Sequence, residues 1–499
     1  MNSEQDQLGH AAAIKEAALT FIGSALPALA EEHLYPRPPS NPFIHFGLDY
    51  FGSHPHLPNF APLAAAIKAS HPRFGDATPL HDSDFVEHYV YSFLEACVAR
   101  LASSRDPWDV EGDAVKRSVE ELITCVASDE WEVACCRVVS HVTTVDGKAH
   151  RLGDIEVVPV VAEPSEQSRQ VLETVRSAIP GAGFLFREVF DAPWGPPESV
   201  LIARSSTPNP LDGSSKLSTT LSDFLLTARL LTAATAQSAY EVRGETSLVG
   251  QHRPTMVRFA GEVGPHSATR MVRRDLVLSG GDHAPIDALR DLMTRAYTEK
   301  PNMIVEPFGL ALHRFNTSHY ARSSYEQVID LVTALEAAMA GGSKTDVLLR
   351  LRTRCACLLA TVNDPASVIF DDIKVLYDLR SYLVHGSELK VNKLDRLMMS
   401  LSGMPDGVMW GERLGHVVDR LRDLVRRSIL VRVCLGSGEN PIWPIGMDDG
   451  VDRSLTDDAT RARRRNTWRE MLDTIGAPKA WERPQVAHSY LRTFAKPVG

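Results

Sequence analysis

An imidazole and a guanidinium brought to one phosphodiester can cleave it. The ring titrates near neutral pH, so it can take a proton from an attacking hydroxyl or give one to a leaving oxygen. The guanidinium keeps its charge, and its forked donors suit the negative charge that gathers on phosphoryl oxygens. Arg and His stand five positions apart three times in this sequence: Arg314 with His319, Arg380 with His385, and Arg483 with His488. Spacing does not choose among the three, because a chain with 18 His produces such pairs by chance. Context has to decide.

Other residue groups point to other chemistries, and each has a plainer reading. Asp154 and Glu156 alternate as nuclease carboxylates do on a strand, which would make a carboxylate-and-metal nuclease, but no Lys follows them convincingly. A solvated strand face accounts for them. His45, His54 and His56 fall in a Pro-, Gly- and His-rich stretch with no Cys and no i,i+4 His pair, so loop histidines are expected there and no metal site. Arg461, Arg463, Arg464 and Arg465 sit on one helical segment together with Arg469 and could hold RNA phosphates. A solvated basic face balanced by Asp457, Asp458 and Glu470 is the competing reading.

The elements that must position Arg380 and His385 are legible from Tyr325 onward. Val328, Leu331, Val332, Leu335 and Met339 repeat at helical spacing and define one buried face, with Gly341-Gly342 as its stop. A second helix carries Leu348, Leu351, Cys355, Leu358 and Leu359 inward and ends near Asn363-Asp364-Pro365. A third carries Ile373, Leu376, Leu379 and Leu383, with Gly386 as its stop. A fourth and longer one carries Leu414, Val417, Val418, Leu421, Leu424 and Val425. Four striped helices with short connections make a bundle, and Arg380 and His385 lie at the end of the third. A tail helix follows, capped by Thr456, with Trp468, Met471, Leu472 and Ile475 on its apolar face and Gly476 at its end.

Three segments in this order carry a resemblance: Ala311-Leu312-His313-Arg314-Phe315, then Val328 to Glu336, then Leu376-Tyr377-Asp378-Leu379-Arg380-Ser381-Tyr382-Leu383-Val384-His385-Gly386. Arg350 to Ala356 fits between the last two. Together they resemble the HEPN superfamily, whose signature is Arg, four to six residues, then His near a helix end, and most closely its ApeA-like branch. The resemblance covers about a quarter of the chain, taken here as residues 306–445. It implies a metal-independent endoribonuclease with Arg380 and His385 as catalytic residues and no cofactor. Ser381 stands where the family often has Asn, Asp or His. Asp378 and Glu336 are candidate supporting carboxylates, able to orient the guanidinium or fix the imidazole tautomer. The competing reading makes Arg380 an ordinary partner of Asp378 or Glu336 and His385 a helix cap. The bundle would then be a non-catalytic dimerisation or nucleotide-binding module.

Helix geometry adds a condition. At 100° per residue, Arg380 and His385 point about 140° apart on a straight helix. Either the helix ends or distorts before Gly386, or two subunits pool their side chains in one cleft, as HEPN ribonucleases do. A homodimer is therefore expected, with RNA as substrate. The branch resemblance further implies bacterial conflict, anti-phage or toxin-like, with the front 300 residues recognising a phage-derived or regulatory protein trigger or holding the nuclease idle.

The front half reads differently. Residues 1–125 are expected to be mostly helical, interrupted from Tyr35 to Pro62, with an amphipathic first helix broken near Pro27. Residues 126–210 should form a small α/β region: Val133 to Val145 and Ile155 to Val161 flank an Asp146-Gly147 turn, a hairpin signal, and Phe184 to Phe190 and Ser199 to Ala203 read as strands. Residues 211–305 mix helix, as at Leu221 to Ala234, with irregular chain, and residues 446–499 are a helix and tail. The fold class is thus α+β, mainly helical, with a strand-containing front region and a C-terminal four- or five-helix bundle.

Composition sets the outer limits. The 499 residues carry 53 Lys plus Arg against 63 Asp plus Glu, a net charge of −10, so this is no uniformly basic nucleic-acid coat. The charge is uneven, roughly −13 before residue 321 and roughly +3 after it. No run approaches ~18 apolar residues, so no membrane span is expected, and Met1 to His10 lacks the Lys or Arg of a secretory signal. Seven cysteines, an odd number without C-x-x-C spacing, suggest reduced thiols in a cytoplasm.

Overall fold

The computed structural model describes residues 2–31, 57–71, 74, 85–101, 112–163, 166–180, 182, 197–208, 210–247, 255–258, 274–298, 307–320, 323–340, 346–385, 391–437, 451–452, 455–478 and 480–484. Helices dominate, and an antiparallel sheet lies in the N-terminal half, an α+β arrangement.

Four helices open the chain: α1 (Asn2–Glu31), α2 (Phe60–Ser70), α3 (Phe85–Leu101) and α4 (Asp113–Ala127). They pack through Phe21, Leu63, Phe93, Leu122 and their neighbours. Pro27 does not break α1, contrary to the expectation above. The helix runs on to Glu31 with Pro27 inside its last turns. His45, His54 and His56 lie outside the described residues.

The sheet orders its strands β3-β4-β5-β1-β6-β7, from β1 (Trp131–Ser140), β3 (His150–Leu152), β4 (Ile155–Pro159), β5 (Ser199–Thr207), β6 (Gln237–Glu245) and β7 (Thr255–Arg258). Two further strands, β2 (Val142–Thr144) and β8 (Leu276–Leu278), pair with each other in parallel. Central β1 is buried along nearly its whole length because both faces are covered. Ala134, Cys136 and Val138 meet α5 (Gln167–Ala178), while Val133, Cys135 and Arg137 face α6 (Pro210–Thr232). The sheet draws β6 and β7 from beyond residue 210, so the strand region and the segment after it share one sheet.

Asp146-Gly147 is a turn, with Gly147 at φ 69° and the Lys148 amide donating to Asp146 Oδ1 at 3.1 Å, but its flanking strands do not form a hairpin together. The tight hairpin closes one turn later, where Gly153-Asp154 links β3 to β4 and Leu152 faces Ile155. Gly153 has φ 59°, a left-handed conformation that glycine adopts without Cβ strain. Asp154 therefore sits in that turn and not on a strand face with Glu156. Phe184 to Phe190 lies outside the described residues.

The C-terminal half is built from α7 (His283–Thr298), α8 (Pro307–Thr317), α9 (Ser324–Met339), α10 (Val347–Leu359), α11 (Ala366–His385), α12 (Val391–Met399), α13 (Trp410–Gly436) and α14 (Asp458–Thr474). A capping box of Ser323 and Glu326 starts α9, whose apolar stripe packs on α8, α11 and α13. Guanidiniums close its other end: Arg432 donates to the Ala337 carbonyl at 2.6 Å and Arg354 to that of Met339 at 2.6 Å. The long α13 is buried on all sides over its second half, and it touches α6 and α7 as well as the bundle helices. Asp457, not Thr456, caps α14: its carboxylate accepts the Thr460 amide at 2.7 Å, one position later than the sequence suggested. Trp468 and Leu472 are fully buried, and Gly476, at φ 79°, ends the helix. Gly341, Gly342 and Gly386 lie outside the described residues.

No helix of the described residues is long and apolar enough to cross a membrane. Five cysteines are buried, Cys125 and Cys357 are half-buried, and all seven are free thiols.

Candidate active site

The three Arg–His pairs sort themselves by what each side chain already does. Arg314 is bonded to Asp330 at 2.8 Å. His319 is sealed inside, its Nδ1 3.0 Å from the Phe315 carbonyl, and burial together with the Arg229 and Arg422 cations holds its ring well below the usual histidine range. That pair offers no imidazole to a substrate. Arg483 is anchored on Ser402, 3.3 Å from its hydroxyl and 3.2 Å from its carbonyl oxygen, and lies 3.6 Å from Asp364; His488 is outside the described residues.

Arg380 and His385 differ. Both lie in the last turns of α11, with Arg380 half-buried and His385 exposed. Among the described residues Arg380 has no hydrogen bond and no ion pair, and its Nε is shut away from water without an acceptor. Among the described residues neither candidate carboxylate, Asp378 or Glu336, pairs with it. Asp378 lies 3.6 Å from Lys374, one turn earlier on α11. The charge of Arg380 acts on Glu336, near the end of α9. Burial raises the Glu336 carboxyl, and the Arg380 charge and the Tyr377 hydroxyl pull it only part of the way back. Ser381 is half-buried beside Arg380.

The helix runs unbroken through His385. Within one chain the Arg380 and His385 side chains thus leave different faces, about 140° apart and about 7.5 Å along the axis. Close by, Tyr382 lies under the Lys393 ammonium at 4.2 Å from its ring centroid, which ties the end of α11 to α12. Val384, adjacent to His385, and Val391, which opens α12, are exposed apolar side chains.

Behind this helix lies a buried ionic network, centred on the polar residues between the apolar positions of α13. Arg420 grips Asp364 through both terminal nitrogens, at 2.9 and 2.8 Å, and reaches Asp372 with Nε at 2.9 Å. Arg427 bonds Asp364 at 2.5 Å and Asp423 at 2.8 Å. Arg426 meets Asp423 at 3.0 Å and also donates to the carbonyls of Leu230 and Glu482, both at 3.0 Å, and of Ala480. Asp372 belongs to α11, so the network fixes the helix that carries Arg380. The spacing Arg420, Asp423, Arg427 was the readable sign, since residues three and four apart share a helix face.

The remaining candidates are committed to structure or stand apart. Glu156 pairs with Arg204 at 2.8 Å, across β4 and β5. In the basic helix Arg461 is bonded to Asp458 and donates to the Leu455 carbonyl at 2.9 Å. Arg464 and Arg465 are half-buried, and Arg469 lies 4.5 Å over the Trp481 ring. Arg463 is the exposed one of the four proposed RNA contacts. Searches for a matching family model, a similar curated protein or a similar solved structure find none for this chain.

Proposed function

We propose that the chain is a metal-independent endoribonuclease of the HEPN type. Two copies of the bundle formed by residues 306–445 meet so that both pairs of Arg380 and His385 line one cleft. The observation that carries this reading is the contrast among the three Arg–His pairs: here the guanidinium is unpaired among the described residues and the imidazole is exposed. The exposed Val384, adjacent to His385, and Val391, which opens α12, suit burial against a second copy, where apolar area stabilises association. Pooling from two copies also answers the angular separation on α11.

The step balances without an added reactant. One neutral His385 imidazole takes the proton of the ribose 2′-hydroxyl as that oxygen bonds to phosphorus. The P–O5′ bond breaks, and a protonated imidazole, that of the second copy, gives its proton to the departing 5′-oxygen. Arg380 neutralises the charge that builds on the non-bridging oxygens. The products are a 2′,3′-cyclic phosphate and a 5′-hydroxyl. Arg463 extends a charged contact to the RNA backbone. In keeping with the ApeA-like resemblance, the front 300 residues hold this activity idle until a trigger, such as a phage-derived protein, engages them.

The reading is tested with ribose and deoxyribose oligonucleotides of one sequence, and with light scattering at micromolar concentration. It expects cut RNA with cyclic-phosphate ends, uncut DNA and a dimer. Cut DNA, 3′-hydroxyl ends or a monomer would count against it.

A further inference from the structure

Tyr382 stands apart from the other large side chains near the end of α11. It is half-buried, yet it does not join the hydrophobic core as Tyr377 and Leu383 on the same helix do. Its hydroxyl has no hydrogen bond among the described residues, and what faces its ring is the Lys393 ammonium, 4.2 Å from the centroid. Lys393 in turn has no carboxylate partner among the described residues. The packing of α12 sets its direction: Leu394 and Met398 turn into the bundle, which leaves Lys393 and Arg396, three positions apart, on the outward side. Arg396 is likewise without a carboxylate among the described residues, its Nε donating to the Asn392 carbonyl at 3.2 Å. A ring outside the core and two unpaired cations thus stand at the junction where His385 is exposed.

We infer that Tyr382 is a substrate-binding residue: the base of the nucleotide at the cut stacks on its ring, and Lys393 and Arg396 take the phosphates next to it. The inference rests on the ribonuclease reading for its substrate. Tyr382 and His385 are three residues apart, so they share a face of α11 with Cβ atoms about 5–6 Å from each other. A base on the ring therefore brings its own ribose to the imidazole. Every base has a π-face, so such stacking is tolerant of sequence, and cations beside it follow the backbone. The Lys393 ammonium, on its flexible stem, can yield the ring to a base and move to a phosphate. Bases inside a duplex are already stacked on their neighbours, so the substrate class is single-stranded RNA. A plain clip between α11 and α12 would also use Tyr382 and Lys393, but it would be indifferent to bases, and that difference is measurable.

The full chain is compared in three forms, wild type, Tyr382→Phe and Tyr382→Ala, by fluorescence anisotropy with two labelled strands. One is a short 2′-O-methyl oligouridylate, which the proposed step cannot cut; the other is the same backbone without bases. Wild type and Tyr382→Phe should bind the strand with bases at least about fivefold more tightly than the abasic one, the weaker end of what one stacked base contributes. Tyr382→Ala should lose that preference and hold the abasic strand as wild type does. With cleavable RNA its KM should rise and its kcat should change little, since stacking holds substrate and transition state alike. A wild-type preference for bases retained in Tyr382→Ala would overturn the inference, whether or not RNA is cut. Equal weakening of both strands would make Tyr382 a clip and overturn it too. A wild type that prefers bases through Tyr382 but cuts no RNA would instead overturn the ribonuclease reading and leave the stacking standing.

Discussion

Arg420 and Asp364 form a two-point ion pair, with nitrogen–oxygen separations of 2.8 and 2.9 Å, and neither side chain reaches solvent. The pair joins α13 to the turn that opens α11, and through Asp372 it reaches α11 itself. Two charges buried in this way do not by themselves favour folding strongly, since their lost hydration opposes their attraction. Removing one partner is another matter. Asp364→Ala would leave Arg420 and Arg427 short of a carboxylate in the interior, a loss on the order of 3–5 kcal/mol. Urea unfolding followed by circular dichroism checks this. A midpoint unchanged from wild type would contradict the network's role.

The same network predicts acid sensitivity. Burial on its own would raise the Asp423 carboxyl, but the Arg427, Arg426 and Arg420 cations bring it down to about 2. An unfolded Asp titrates at about 3.9. A carboxyl whose folded value is the lower one contributes stability that is fully present above the unfolded value and is lost as pH falls towards the folded one. Stability should therefore drop between roughly pH 4 and pH 2, and Asp423→Asn should drop less steeply over that range from a lower starting point. Melting temperatures measured across the range decide it.

His319 works in a higher window. Burial, with Arg229 and Arg422 nearby, holds its ring well below the ordinary value of 6.5. Below that value the unfolded chain binds a proton that the folded one refuses, so stability is lost as pH falls from about 6.5, by up to about 1.4 kcal/mol per pH unit. Above that value the contribution is flat. His319→Gln should flatten stability between roughly pH 6.5 and pH 5, clear of the carboxylates. Equal slopes for wild type and variant would remove the assignment.

The basic helix is predicted to matter little beyond one residue. Arg461 is tied to Asp458 and the Leu455 carbonyl, whereas Arg463 is exposed. Arg463→Glu should therefore lower the slope of log affinity for RNA against log salt by about one, with the melting temperature unchanged. Arg461→Glu should lower the melting temperature instead. An unchanged salt slope in Arg463→Glu would take RNA off this helix.

Much of the bundle was legible because its apolar repeats are long. Val328 to Met339 and Leu414 to Val425 mark buried faces that the structure places inward. The amphipathic α5 is written in the sequence too, since Val171, Val175 and Ala178 recur at helical spacing. What stayed hidden depends on partners distant in the chain. Arg420, Arg426 and Arg427 look like a solvated face until Asp364, Asp372 and the tail carbonyls come into reach. The hairpin was misplaced because two Gly-containing turns stand close together, and only strand pairing tells Asp146-Gly147 from Gly153-Asp154. At the site, Arg380 and His385 are visible from their spacing, whereas the bonds of Asp372 that fix their helix come from Arg420 and Ser402, distant in the chain.

The proposed cleavage of RNA by Arg380 and His385 of α11 stands or falls on incubating purified wild type, Arg380→Ala and His385→Ala with total RNA in EDTA. Wild type should cleave despite the chelator, with a loss of at least about 100-fold in each variant, the scale of losing one general acid–base group or one charge-stabilising donor. Equal cleavage by all three proteins, or none by wild type once metal is chelated, would contradict it.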